Sequence, residues 1–199
     1  MYNEALKEKI KKDLQQSLSK HRYTHVLGVA AKARELADKY GGDLDQAEVA
    51  GLLHDAAKQK TLAEMQTLAS RSFGNTLPDT IMSIGSLLHG YAAVTIARET
   101  YGIQDEDLLA ALAHHTTGTE QMSTLEKIIF IADYIEVNRD FDGVERLRSI
   151  AAKDLDKAVL AGYDSTISHL LEQEKTIYTG TIINRNALIL AMQADRKIK

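Results

Sequence analysis

An all-helical fold in a single domain is predicted by three features of this sequence. There is one proline, Pro78, in 199 residues. No segment sustains the period-2 alternation of apolar and polar residues that a half-buried strand requires. Apolar residues recur instead at helical spacing, in segments bounded by capping signals.

The elements follow in order. Leu6, Ile10, Leu14 and Leu18 fall every four positions and give a first helix its apolar stripe. His25, Val29, Ala33, Leu36 and Tyr40 share one side of a second, which stops at Gly41-Gly42, where a left-handed cap is easy. Asp43 caps a third, expected to run to about Lys58. Thr61-Leu62-Ala63-Glu64 is a capping box opening a fourth. Pro78 suits the first turn of a fifth, expected to pass through His89 to about Tyr101, with Gly102 as its stop. Asp105 to His115 makes a sixth. Ser123-Thr124-Leu125-Glu126, a second capping box, starts the helix that carries Asp133. Helices over Asp154 to about Glu174 and Ile182 to about Lys197 complete the set. No internal repeat, low-complexity tract or linker interrupts residues 1–199. The expected organisation is a core over about 21–136 with C-terminal helices over about 144–197 packed on it.

Composition narrows the function classes. Hydrophobic residues are 44% and charged residues 26%, ordinary values for a globular protein. The net charge of −4 gives none of the basic excess of a general nucleic-acid binder. With no cysteine, disulfides and thiolate metal sites are excluded, which leaves nitrogen and oxygen ligands. No uncharged apolar run reaches the roughly 18 residues of a membrane span. The first residues lack a signal-peptide core, so a cytoplasmic protein is expected. A symmetric homodimer is the default for a soluble oligomer.

The chemistry is concentrated in His54-Asp55, at the end of the apolar run Ala50-Gly51-Leu52-Leu53. A His-Asp pair alone is weak evidence. Here it ends an apolar segment, where an unneutralised charge is costly. Asp133 likewise interrupts Ile128-Ile129-Phe130-Ile131-Ala132, and a buried carboxylate needs a strong partner. With His25, His89 and His115 these residues form an ordered chelating inventory from position 25 to position 133. They lie on five different predicted helices, His54 and Asp55 sharing one, and face inward, which is how helical cores build metal sites. His25, His54, Asp55 and Asp133 supply two imidazoles and two carboxylates, suiting Fe, Mn, Co or Zn better than Mg or Ca. Asp55 could bridge to a second ion held by His89 and His115. His21 and His169 read as surface or capping residues, and His114 as an imidazole beside His115.

The local words resemble one family. His21-Arg22-Tyr23-Thr24-His25, Leu53-His54-Asp55-Ala56-Ala57-Lys58, Leu87-Leu88-His89-Gly90, His115-Thr116-Thr117-Gly118 and Asp133-Tyr134-Ile135-Glu136-Val137-Asn138-Arg139 occur in this order. Together they resemble the HD-domain superfamily of metal-dependent phosphohydrolases. Within it they look like the bacterial YqeK family, which cleaves diadenosine tetraphosphate symmetrically and releases two ADP. The resemblance implies an HD-domain helical bundle and iron, as one or two ions, held by His25, His54, Asp55 and Asp133. Asp55 and Lys58 are the expected catalytic residues. The resemblance implies nucleotide contacts at His25, Asp55, Lys58, His89, His115, Thr116, Asp133, Arg139, Tyr178 and Thr181. Two stretches depart from the family pattern. Its Glu-Pro-Asn-Arg reads Glu136-Val137-Asn138-Arg139 here, and its His-Pro-x-Thr reads Tyr178-Thr179-Gly180-Thr181.

The expected mechanism is attack of metal-bound hydroxide on an inner phosphorus, since a bound metal acidifies water and polarises phosphoryl oxygens. Lys58 serves as a point-charge clamp and Arg139 as a planar fork for the polyphosphate. Three other functions fit the same inventory. One is a related phosphohydrolase acting on a deoxynucleotide, a cyclic nucleotide or a guanosine alarmone. The second is a two-iron HD oxygenase, and the third a nucleotide sensor without turnover.

Overall fold

Asn3 opens the first helix by accepting the Leu6 amide, and α1 runs Glu4–Ser17. The structure, a computed structural model, describes residues 2–198, with side chains through residue 194. Ser19 caps α2 (Lys20–Tyr40), which ends on Gly41 in the left-handed region at φ 80°. Asp43 accepts two amides at the start of α3 (Leu44–Leu53). Thr61 and Glu64 complete the predicted capping box of α4 (Leu62–Phe73). Short α5 (Asp79–Met82) and α6 (Gly85–Tyr101) follow. Asp105 caps α7 (Glu106–His114), and Ser123 with Glu126 boxes α8 (Thr124–Ile135). The chain finishes with α9 (Val144–Ala151), α10 (Leu155–Glu172) and α11 (Thr179–Ile198). Among the described residues there is no strand, as the missing period-2 alternation predicts.

Three expected boundaries differ, each for a local reason. The third helix ends at Leu53, five residues before Lys58. Beyond it the Ala56, Lys58 and Lys60 amides bond to the carbonyls three residues back, a tight run of turns without glycine or proline to set it apart from a helix in the sequence. The segment from Pro78 to Tyr101 is two helices, because Ile84 is extended at φ −119°, ψ 103°. The last helix starts at Thr179, placing Tyr178 and Thr181 at its N-terminal end.

Packing brings distant segments to one place. α2 lies on α3 and α8, α7 lies on α8, and α6 bridges α4 and α7. Val29, Leu52, Leu53, Leu88, Leu108, Leu112, Ile128 and Ile129 are fully or almost fully buried between them. Each such side chain contributes about 1.5–3 kcal/mol, so the ligand-bearing helices are held by packing and not by the polar residues they present. Phe130, Val159, Tyr163 and Leu188 form a smaller cluster that seats α10 and α11 on α8. Two glycines set the closest approaches. A Cβ on Gly51 would lie 2.6 Å from the Ala30 Cα, and one on Gly90 would lie 2.5 Å from the Leu112 carbonyl oxygen. Gly51 therefore lets α3 reach α2, and Gly90 lets α6 reach α7. No helix among the described residues is long and apolar enough to cross a membrane.

Candidate metal centre

The predicted ligands converge. Moving along the site, ring centroids are 5.4 Å apart for His25 and His54, 5.0 Å for His54 and His115, and 4.7 Å for His115 and His89. His25 comes from the middle of α2, His54 from the end of α3, His89 from α6 and His115 from the end of α7. Asp55 and Asp133 face this row. One ligand atom from each of His25, His54 and Asp55 lies within 4.8 Å of the others, and the same holds for His54, His115 and Asp133 and for Asp55, His89 and His115. Asp55 thus faces both ends of the row.

Hydrogen bonds on the outer side of each ring set its tautomer. His54 Nδ1 donates to the Gly51 carbonyl at 2.7 Å, which leaves Nε2 with its lone pair facing the cluster. His115 Nδ1 donates to the Leu112 carbonyl at 2.8 Å, and its Nε2 lies 2.9 Å from His89 Nε2. His25 Nδ1 lies 3.1 Å from Glu136 Oε1. That carboxylate is itself held, since its other oxygen accepts from the Asn138 amide at 2.7 Å and side chain at 2.9 Å. The inner nitrogens of His25 and His54 are buried and make no hydrogen bond. His25 Nε2 is 3.0 Å from Asp133 Oδ1, yet off the direction a hydrogen bond needs. His54 Nε2 is 3.5 Å from Asp55 Oδ2 and 3.9 Å from Asp133 Oδ1.

Buried polar atoms are paired in the great majority of cases, so two such nitrogens facing two carboxylates call for a ligand. A metal ion fits. The rings present lone pairs, the carboxylates complete an N/O set, and a carboxylate or carbonyl behind each ring is the usual support for an imidazole ligand.

Cations balance the acidic side. Arg22 Nη1 donates to Asp55 Oδ2 at 2.6 Å. Arg139 donates from Nε to the Asp133 carbonyl at 2.7 Å and from Nη2 to the Asp133 carboxylate. Lys58 Nζ is 3.2 Å from His89 Nε2 and 3.9 Å from Asp55 Oδ1. Burial alone would raise the pKa of Asp55, but the facing His54, His89 and Lys58 outweigh it and hold the carboxyl well below its usual range. Burial acts the same way on Asp133, and His25, His54 and Arg139 again reverse it. Burial lowers His54, and it lowers His115 further with His89 and His54 alongside. The site therefore holds ionised Asp55 and Asp133 and neutral His54 and His115, the protonation states in which both residue types ligate metals.

The remaining predicted residues divide. Thr116 follows His115 and is half-buried. Tyr178 lines a cavity of about 640 Å³ with Tyr91, His114, Thr117 and Asn184, adjoining the His115 turn. Thr181 is buried at the start of α11, its amide bonded to the Tyr178 carbonyl. His114 turns away from the row and contacts Glu126 at 2.6 Å. Two residues of the site escaped the sequence reading. Glu136 lies one turn beyond Asp133, and Arg22 one turn before His25, so the face of each helix was the available signal.

Comparison with known proteins agrees with this geometry. The HD domain family model matches residues 22–138, a span that begins at Arg22 and ends at Asn138. The chain belongs to the HD domain family. This HD-domain chain is 43% identical over 173 residues to the symmetrical bis(5'-nucleosyl)-tetraphosphatase of Halalkalibacterium halodurans, covering 87% of this chain and 91% of that one. It is 41% identical over 196 residues to the protein of the same name from Staphylococcus aureus, covering 96% and 97%. A solved structure from Clostridium acetobutylicum, described as a predicted HD superfamily hydrolase involved in NAD metabolism, superposes with a TM-score of 0.88 at 42% identity. That match covers 92% of this chain and 97% of the other.

Proposed function

We propose that this HD-domain protein is a metal-dependent hydrolase that splits diadenosine tetraphosphate into two ADP, with iron as its metal. One observation carries the reading. Two buried imidazole nitrogens without hydrogen-bond partners face two ionised carboxylates, in a chain that aligns almost end to end with symmetrical tetraphosphatases.

His25, His54, Asp55 and Asp133 would hold the ion. The chemistry such an ion supplies is Lewis acidity, which acidifies water and polarises phosphoryl oxygens. The protein's own residues do the rest. Lys58 presents an ammonium beside Asp55 and His89, where a polyphosphate with several negative charges needs a counter-charge. Arg139 offers a guanidinium fork at the rim, and Arg22 a second cation against Asp55. His89 is aimed along the row and can donate to a phosphate oxygen. The reaction adds one water across the central phosphoanhydride. A bond forms from the water oxygen to one inner phosphorus, and the bond from that phosphorus to the bridging oxygen breaks. The bridging oxygen leaves as the terminal oxygen of one ADP, and the hydrated half is the other.

The test is anaerobic incubation of the iron-loaded protein with diadenosine tetraphosphate, the nucleotides being separated by ion exchange. ADP as the sole product supports symmetrical hydrolysis without oxygen. AMP with ATP would move the attack to an outer phosphorus. A dependence on oxygen would favour the two-iron oxygenase chemistry. Binding without turnover would favour a sensor.

A further inference from the structure

A second cavity lies beside the His25 end of the metal centre. Lys20, His21, Thr24, Arg139, Asp140 and Phe141 bound a cavity of about 730 Å³, and His25, Glu136 and Asn138 form part of its wall. It therefore meets the row of imidazoles at the His25 end. The cavity that Tyr178 lines includes His114 and Thr117, the chain neighbours of the His115 turn. The two cavities share no lining residue.

Resting on the function proposed above, we propose that the Lys20–Phe141 cavity receives one of the two nucleoside halves of the dinucleotide. A substrate cut at its centre must extend in both directions from the metal, with an adenosine at each end. One nucleoside pocket accommodates only half of it. The chemistry of this wall suits the other half. Lys20 and His21 are exposed on the first turn of α2 and enter no ion pair among the described residues, which leaves them available to phosphate and ribose oxygens. Arg139 stands between this cavity and Asp133. Phe141 is half-buried and provides an aromatic face for a purine, as base–aromatic contacts do in nucleotide-binding proteins. Asn138 offers an amide at the rim. The volume lies within the range of small-molecule sites, about 300–1,000 Å³.

The experiment measures steady-state hydrolysis by the metal-loaded full-length protein and by Lys20→Glu and Phe141→Ala, with diadenosine tetraphosphate and with adenosine 5'-tetraphosphate, which lacks the second nucleoside. Phe141→Ala is expected to raise KM for the dinucleotide about tenfold, the scale of one base–aromatic contact, and to leave the mononucleotide unchanged. Lys20→Glu is expected to raise KM for both, because the phosphates remain. Metal content and thermal midpoint should match the parent, which separates the effect from a folding defect. Equal KM values in parent and variants for the dinucleotide would overturn the half-site while leaving the function intact. A parent protein that turns over neither nucleotide would overturn the functional reading and the half-site with it.

Discussion

Glu136 Oε1 stands 3.1 Å from His25 Nδ1, and Asn138 holds the same carboxylate through two donors. The ring is thereby oriented with its inner nitrogen toward the cluster. Glu136→Gln keeps the volume and removes the charge. It is expected to lower metal affinity about 10–100-fold, the usual effect of losing such a support. A competition titration against a chromophoric chelator checks this, and an unchanged affinity would mean that packing alone orients His25.

Among the described residues, Asp55 is the one carboxylate within reach of both ends of the imidazole row. Asp55→Ala is expected to remove metal binding and turnover together. Metal analysis and product assay on the same preparation decide the matter. A variant that kept its metal and its rate would sink the chemistry proposed here.

Lys58 touches the site without belonging to the ligand set. Lys58→Ala should retain the metal and lose about 10–100-fold in kcat/KM, corresponding to roughly 1.5–3 kcal/mol for a charged hydrogen bond to phosphate. Full activity would return this side chain to solvent.

Gly51 is a packing requirement. Gly51→Ala places a methyl group against the backbone of Ala30, so neither helix can yield by rotating a side chain. A loss of about 1–3 kcal/mol is expected, read as a lower denaturation midpoint at unchanged slope. No change in midpoint would mean that α3 shifts freely.

Acid should weaken the metal-free protein before its carboxylates titrate. His54 and His115 have folded-state pKa values below the ordinary imidazole value of about 6.5. Below that pH the unfolded chain binds protons that the folded one refuses, so stability falls as pH falls. Asp55 and Asp133 act in the same direction further down, below the ordinary carboxylate value of about 3.9. Thermal midpoints measured from pH 7.5 to pH 5 check the imidazole contribution. A flat profile over that window would show that His54 and His115 protonate in the folded state as easily as in the unfolded one.

The legible part of the site consists of residues whose meaning is local. His54-Asp55 ends an apolar run, and Asp133 interrupts another, so a burial argument alone marks them. The helices are legible for the same reason, since Thr61-Glu64 and Ser123-Glu126 form the boxes their spacing predicts. Where the reading stopped short, competing conformations share one pattern. The turns over residues 54–59 hold no glycine or proline that would mark the end of a helix, and the amides of Ala56, Lys58 and Lys60 show where it ends. The Ile84 break falls among residues with no cap or proline to announce it. Glu136 looks like an ordinary helix-end acid until α2 is laid beside α8. The Lys20–Phe141 cavity is made by segments more than a hundred residues apart, and no local signal encodes such a juxtaposition.

The row of imidazoles also ties the chain together. An ion shared by α2, the end of α3 and α8 is a cross-link between segments that an unfolded chain keeps far apart. Binding confined to the folded state stabilises it by RT ln(1 + [M]/Kd), about 2.7 kcal/mol at a hundred times Kd. Metal scarcity would then reduce the number of molecules as well as the rate of each, because the unliganded form opens more often to proteases. Protein lifetime under chelation, followed by pulse-chase in Asp55→Ala and parent, would separate the two effects, since the variant should already turn over at the chelated rate.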